Sequence, residues 1–327
     1  MKREISRKFC VAPMMGYTTP YARKLYRILS NNSFLFSEMI ATKSLIYSKS
    51  RENIIDNDFN NPVALQVGGS EIDDLTKASQ IAVDYNYDEI NLNVGCPSKA
   101  VQKGSFGACL MQNKVLVKQC LEEMQNSKIN VSMKCRIGLG KDQNYDFFEE
   151  FIDEVLKSGI TVIYVHARNA ILSGISPSQN RSIPKLNYNF IKKIKLKYPK
   201  ITFILNGGID SLELAENLNK DYDGVMIGRL IQNNPFVLRQ VDKLFYNFKE
   251  DVNIDENIIF DYINYIKPKI YQESVFRLLS PLLNIFFGIP NSKSFKSEVH
   301  EFMKKKQLNK IENLFLQFVK ENKLLLN

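Results

Sequence analysis

Short apolar, β-rich runs alternate with amphipathic helical runs along the first three quarters of the chain. The runs that read as strands are Phe9–Met15, Phe34–Ile40, Val63–Gly69, Glu89–Gly95, Val131–Ile137, Val162–Arg168, Thr202–Gly208 and Gly224–Arg229. Between them, Glu71–Tyr85, Asn113–Ser127, Tyr145–Ser158, Asn187–Tyr198 and Ser211–Lys220 carry helical spacing. In Tyr145–Ser158, for instance, Phe147, Phe148, Phe151, Ile152, Val155 and Leu156 recur at the interval of one buried helix face. Eight strand–helix units within about 240 residues predict a (β/α)8 TIM barrel. A doubly wound open sheet is the structural rival, but no GxGxxG follows the first strand.

After Phe245 the strand pattern stops. Asn257–Tyr271, Val275–Phe287, Phe295–Lys306 and Lys310–Leu325 each show helical periodicity, and Gly288-Ile289-Pro290-Asn291 reads as a helix stop followed by a turn. The expected organisation is a barrel over residues 1–245 followed by a small C-terminal all-α helical domain over 246–327.

Composition narrows the class. With 327 residues, 44% hydrophobic and 24% charged, the chain has the make-up of a soluble globular protein. Its five cysteines are an odd number with no CxxC spacing, which predicts neither a zinc site nor a disulfide framework. No apolar run is long enough to span a bilayer, and Met1-Lys2-Arg3-Glu4 leads into no signal-peptide core, so a cytoplasmic location with reduced thiols is expected. The net charge of +9 lies mostly before residue 246 and makes a polyanionic partner such as nucleic acid a live possibility.

The unusual residues gather at the strand ends. Met14, Gln66, Asn93, Cys96, Lys134, His166, Asn206 and Arg229 all fall in or just after the C-terminal halves of their strands, the face where such barrels place their active sites. In Asn91-Leu92-Asn93-Val94-Gly95-Cys96-Pro97-Ser98, two amides share one side of a strand that delivers a thiol into a turn. Buried amides need partners, and a ligand could supply them; a packed core cysteine is the plainer reading. Lys134 lies in an apolar strand, where it is either aimed into the barrel and paired or snorkelling past a helix on the outside. Asn206-Gly207-Gly208 and Gly228-Arg229, followed by the helical runs Ser211–Lys220 and Asn234–Phe245, suit a phosphate group, although such glycines also serve ordinary turns. A phosphate site, an amide-rich pocket and a lysine together suit flavin mononucleotide, FMN. Neither His166 nor His300 has a partner spacing for a metal, and none is expected. A cysteine opposite a hydride donor would serve as an acid.

Taken together, Val11-Ala12-Pro13-Met14-Met15, Gln66-Val67-Gly68-Gly69, Asn93-Val94-Gly95-Cys96-Pro97, Lys134-Cys135-Arg136-Ile137-Gly138, His166-Ala167-Arg168, Asn206-Gly207-Gly208 and Met226-Ile227-Gly228-Arg229 resemble the tRNA-dihydrouridine synthase family, in order and over nearly the whole chain. Leu172–Pro184 and Phe287-Gly288-Ile289-Pro290 resemble its bacterial A-type subfamily, which acts on D-loop uridines near position 20 (U20/U20a). The resemblance implies FMN held by Pro13, Met14, Met15, Gln66, Lys134, His166, Asn206, Gly207, Gly208, Gly228 and Arg229, and NADPH as reductant, with NADH possible. It implies Cys96 as proton donor, Asn93 as a contact to the target base, and Arg181, Lys293 and Lys296 as contacts to tRNA phosphates, in a monomer. The subfamily usually has a lysine at Ser178, a basic residue near Ser280 and arginines at Lys293 and Lys296; the docking of tRNA is where these departures bear. The alternatives are an FMN oxidoreductase of dihydroorotate or enoate type on the same barrel, and a non-enzymatic RNA-binding protein.

Overall fold

The computed structural model describes residues 5–49, 51–57, 62–253, 255–286 and 288–323. The expectations for Met1–Glu4, for Phe287 and for the end of the last helix at Leu325 fall outside the described residues.

Eight strands form, one in each predicted place: β1 Phe9–Val11, β2 Leu35–Ala41, β3 Val63–Gly68, β4 Glu89–Val94, β5 Asn130–Arg136, β6 Val162–His166, β7 Thr202–Asn206 and β8 Gly224–Ile227. All pair in parallel in the order β1-β8-β7-β6-β5-β4-β3-β2. The two ends meet through a bridge between Cys10 and Phe34, where Val11 N–H donates to Phe34 O and Phe34 N–H donates to Phe9 O, both at 2.9 Å. This is the (β/α)8 barrel. Every residue of β3 and β4 is buried, because helices cover one side of each strand and the barrel interior takes the other. That double burial is why these strands read as near-continuous apolar runs interrupted only by residues facing inward.

The helices between the strands begin where the sequence offers caps. Asn113, Asn144 and Ser211 accept from Leu116, Phe147 and Leu214 N–H and start Lys114–Met124, Tyr145–Leu156 and Leu212–Asn219. The expected helix Asn234–Phe245 is divided instead. Pro235 opens a 3-10 turn to Gln240, and the α-helix begins only at Val241.

The chain divides into two compact units, one of Met1–Pro20 with Ser33–Gly228 and one of Tyr21–Asn32 with Arg229–Asn327. In the second, helices Glu256–Ile266, Val275–Leu283, Ser292–Lys304 and Leu308–Glu321 pack around Phe286, Phe295, Phe315 and Phe318. The Phe295 and Phe318 ring centroids lie 4.3 Å apart. The buried Asp242 carboxylate gathers Ser30 Oγ at 2.6 Å and the Asn31 and Asn32 N–H groups at 2.7 and 3.2 Å, which fixes Tyr21–Asn32 within this unit.

Candidate active site

The interior of the barrel has two chemically different halves. Cys10, Ala12, Phe34, Phe36, Ala64, Tyr164, Ile204 and Met226 form a mainly apolar cluster. On the other side, β3, β4 and β5 present Gln66, Glu89, Asn91, Asn93, Ser132, Lys134 and Arg136. Their inward direction follows from a bond that skips a strand, Lys134 Nζ on β5 to Asn206 Oδ1 on β7; along the same face Gln66 Nε2 donates to Asn91 Oδ1 at 2.8 Å and Asn91 Nδ2 to Ser132 Oγ at 2.7 Å. The two amides of β4 therefore share one face, as their spacing predicts. Their partners, however, come from the barrel itself and need no ligand.

Lys134 also points inward. Its Nζ donates to Asn206 Oδ1 at 3.0 Å, while Asn206 Nδ2 donates to Met226 O at 2.7 Å. Burial, and then the neighbouring Arg136 charge, lower the Lys134 pKa to about 8. The lysine is a half-buried cation with an incomplete set of acceptors. A group with anionic character at the mouth would relieve that cost.

The Cys96 loop is fastened on several sides. Asn93 Oδ1 accepts from Gly95 N–H at 3.1 Å and Cys96 N–H at 2.9 Å, and Cys96 O accepts from Ala108 N–H at 2.9 Å. Gly95 O accepts from Arg136 Nε at 3.0 Å. Helix Lys99–Lys103 follows, capped by Ser98 Oγ. Cys96 itself is half-buried, unlike Cys10, Cys120 and Cys135, which are core thiols.

Arg136 is a residue of this site to which sequence reading assigned no role. Its guanidinium is buried and also donates to Asn169 O and Asn180 O, both at 2.9 Å. Burial, with the nearby charges of Arg181 and Arg168, lowers its pKa to about 10, while Cys96 acts in the opposite sense. One buried cation thus joins the Cys96 turn to the loop that carries Arg181. The available signal was its position two residues after Lys134 on the same strand face.

The remaining predicted residues are distributed as follows. His166 ends β6, is 8% exposed, and lies where a Cβ on Gly207 would approach its ring to 3.2 Å. Gly207 and Gly208 have φ values of +110° and +74°, which favour glycine, and Tyr188 donates to Gly207 O at 2.7 Å. Pro13 and Met14 are half-buried after β1, whereas Met15 is 64% exposed. Gly228 follows β8 against Met14 Sδ, and Arg229 is exposed at the start of Arg229–Asn233. Arg181 is exposed; Lys293 and Lys296, exposed and half-buried, lie on Ser292–Lys304 in the helical unit. Ser178 is exposed, and Ser280 Oγ donates to Arg277 O at 3.3 Å. Among the described residues no group of His, Cys, Asp or Glu could hold a metal ion, and no helix is long and apolar enough to cross a membrane.

A parallel barrel with amides, cations and a held thiol at the C-terminal ends of its strands has the design of an enzyme active site. The profile of the dihydrouridine synthase (Dus) family matches residues 10–322. Similar proteins named tRNA-dihydrouridine(20/20a) synthase occur in Shewanella oneidensis, 36% identical over 91% of this chain and 90% of that protein, and in Vibrio cholerae, 38% identical over 90% of each. A third, from Xylella fastidiosa, is 44% identical over 71% of each chain. Morphinone reductase shares the fold at a TM-score of 0.53 and 10% identity, over 77% of this chain and 88% of that one. The chain belongs to the dihydrouridine synthase family, and with it to the flavin-dependent oxidoreductases.

Proposed function

We propose that this protein is an NADPH-dependent, FMN-containing tRNA-dihydrouridine synthase that reduces the C5=C6 bond of D-loop uridines at positions 20 and 20a. The relatives that carry that name match through the helical region as well as the barrel. A small-molecule reductase would need no such second unit, and a purely RNA-binding protein would need neither Lys134 nor the Cys96 turn.

The residues fit an FMN. Lys134 is a partly dehydrated cation facing the mouth, Gly207 packs so close to His166 that a Cβ would approach the ring to 3.2 Å, and Met15 offers an exposed apolar surface. On this reading Pro13, Met14, Met15, Gln66, Lys134, His166, Asn206, Gly207, Gly208, Gly228 and Arg229 hold the cofactor. Bound there, and with NADPH or NADH as reductant, FMN would supply the hydride for C6 of the uracil.

Cys96 completes the reaction. Addition at C6 leaves an enolate-like charge over C5 and O4 of the base, which must be quenched by a proton. The thiol S–H bond breaks as the C5–H bond forms, and the thiolate then recovers a proton from solvent. The target uridine must leave the stack to enter a barrel mouth. Asn93 contacts the base with its remaining hydrogen-bonding capacity, while Arg181, Lys293 and Lys296 contact phosphates of the tRNA. The protein works as a monomer in the cytoplasm.

The observation that carries this reading is the fastening of the Cys96 peptide at the rim that also bears Lys134. Purified protein, NADPH and an unmodified tRNA transcript test it. Dihydrouridine should form at positions 20 and 20a; absence of the modified base, or its formation only elsewhere in the tRNA, would refute the assignment.

A further inference from the structure

A hydrogen-bond chain leads from the Cys96 loop down through the barrel. Gly95 and Cys96 N–H donate to Asn93 Oδ1, Asn93 Nδ2 donates to Gln66 Oε1 at 2.9 Å, and Gln66 Nε2 donates to Asn91 Oδ1 at 2.8 Å. Asn91 Nδ2 then donates to Ser132 Oγ at 2.7 Å, and the Ser132 hydroxyl donates to Glu89 Oε1. Glu89 is fully buried, and its second oxygen pairs with Arg7, whose Nε also donates to Tyr164 OH at 3.0 Å.

The direction of this chain is dictated by its two ends. A carboxylate bound to arginine can only accept, so the single Ser132 hydrogen must go to Glu89. Ser132 Oγ must then accept, which turns the Asn91 amide so that its NH2 faces Ser132 and its oxygen faces Gln66. The same requirement passes through Gln66 to Asn93 and leaves Asn93 Oδ1 facing the loop. Backbone N–H groups can only donate, so the upper end demands the same arrangement. Reversing any one amide would set two acceptors or two donors against each other in a buried site, where an unmade bond is costly.

An apolar filling would satisfy a barrel interior without these risks, and the opposite half of this interior is mainly apolar. The polar half therefore calls for another explanation. We propose that Glu89, Ser132 and Asn91 are positioning residues for Cys96: the carboxylate at the barrel floor fixes the orientation of every amide above it, and so fixes the turn that presents the thiol. The assignment rests on the reading of Cys96 as proton donor. None of the three residues needs to touch substrate or cofactor.

The test uses the enzyme purified with its flavin, three variants in the chain, and Cys96→Ala. Ser132→Ala cuts the chain with the loss of one hydroxyl, Ser132→Thr restores the hydroxyl, and Glu89→Gln replaces an acceptor-only end by a group that also donates. In Ser132→Ala, amide hydrogen exchange in a peptide covering residues 91–98 should accelerate roughly tenfold, with β6 and β7 unchanged. Reoxidation of the pre-reduced flavin by tRNA should slow by roughly tenfold or more, well beyond any change in flavin reduction by NADPH, since the same chain also orients Gln66 at the flavin and Asn93 at the base. Glu89→Gln, if it folds, should shift both readouts the same way, and Ser132→Thr should return both toward wild type. Unchanged exchange at 95–96 in Ser132→Ala, or equal acceleration throughout the barrel, would overturn the proposal. Local acceleration with wild-type reoxidation, in this variant and in Cys96→Ala alike, would uphold the hold on the loop and overturn the role of Cys96.

Discussion

Lys134 Nζ reaches Asn206 Oδ1 at 3.0 Å although β5 and β7 are separated by β6, so the bond crosses the barrel interior. This excludes an outward, snorkelling lysine and makes Lys134 an element of the mouth. It also creates a cost, because burial lowers the ammonium pKa to about 8.

A trade between stability and cofactor binding follows at Lys134. Between about pH 8 and the ordinary lysine value of 10.5, the unfolded chain binds a proton that the folded chain has lost. The contribution of Lys134 to the stability of the flavin-free protein should therefore rise with pH through that window, against the opposite contribution of the buried thiols Cys10, Cys120 and Cys135. Lys134→Met should abolish the rise, increase the urea midpoint of the flavin-free protein at pH 7, and weaken retention of FMN. Urea titrations at pH 7 and pH 10, with flavin absorbance of the purified variant, check all three.

Binding of tRNA should depend on cations at least partly open to solvent. Arg181→Ala, Lys293→Ala and Lys296→Ala should each raise the KM for tRNA and leave flavin reduction by NADPH unchanged. Each should reduce the salt slope of binding by about one unit. Filter binding across a range of salt concentrations measures this, and an unchanged slope in the triple variant would assign these residues to a solvated surface.

Gly107 supports the Cys96 turn from outside. Its φ is +77°, and a Cβ there would lie 2.6 Å from Cys96 O and 2.4 Å from Val101 Cγ1. Gly107→Ala should cost about 1–2 kcal/mol from the left-handed conformation alone, with the clash adding to it. The displaced Cys96 carbonyl should slow flavin reoxidation by tRNA more than flavin reduction by NADPH. Denaturant unfolding and the two half-reactions measured separately check the prediction.

The barrel was legible because each strand is a short apolar run closed by a small or polar residue, and parallel strands buried on both faces leave that trace. The rim residues were legible for a related reason, since polar groups such as Lys134 and Asn206 interrupt otherwise apolar strands. The partners of Asn91 were not legible, because the Asn91–Ser132 contact depends on the register that places those two residues opposite each other. Arg136 was missed on similar grounds, since its acceptors are carbonyls of Gly95, Asn169 and Asn180, and no side-chain pattern marks a carbonyl. The division near Pro235 escaped periodicity because the 3-10 turn buries Phe236 and Leu238 much as one helix would.

The central claim is that Cys96 gives the proton to C5, and a single half-reaction tests it most directly. Cys96→Ala should retain FMN, accept hydride from NADPH and bind tRNA, because the hydrogen bonds that fasten Cys96 in its turn are made by its backbone. Pre-reduced Cys96→Ala mixed rapidly with unmodified tRNA should reoxidise roughly a hundredfold or more slowly than the parent enzyme. Reoxidation at the parent rate would contradict the account and leave Cys96 as a packed thiol.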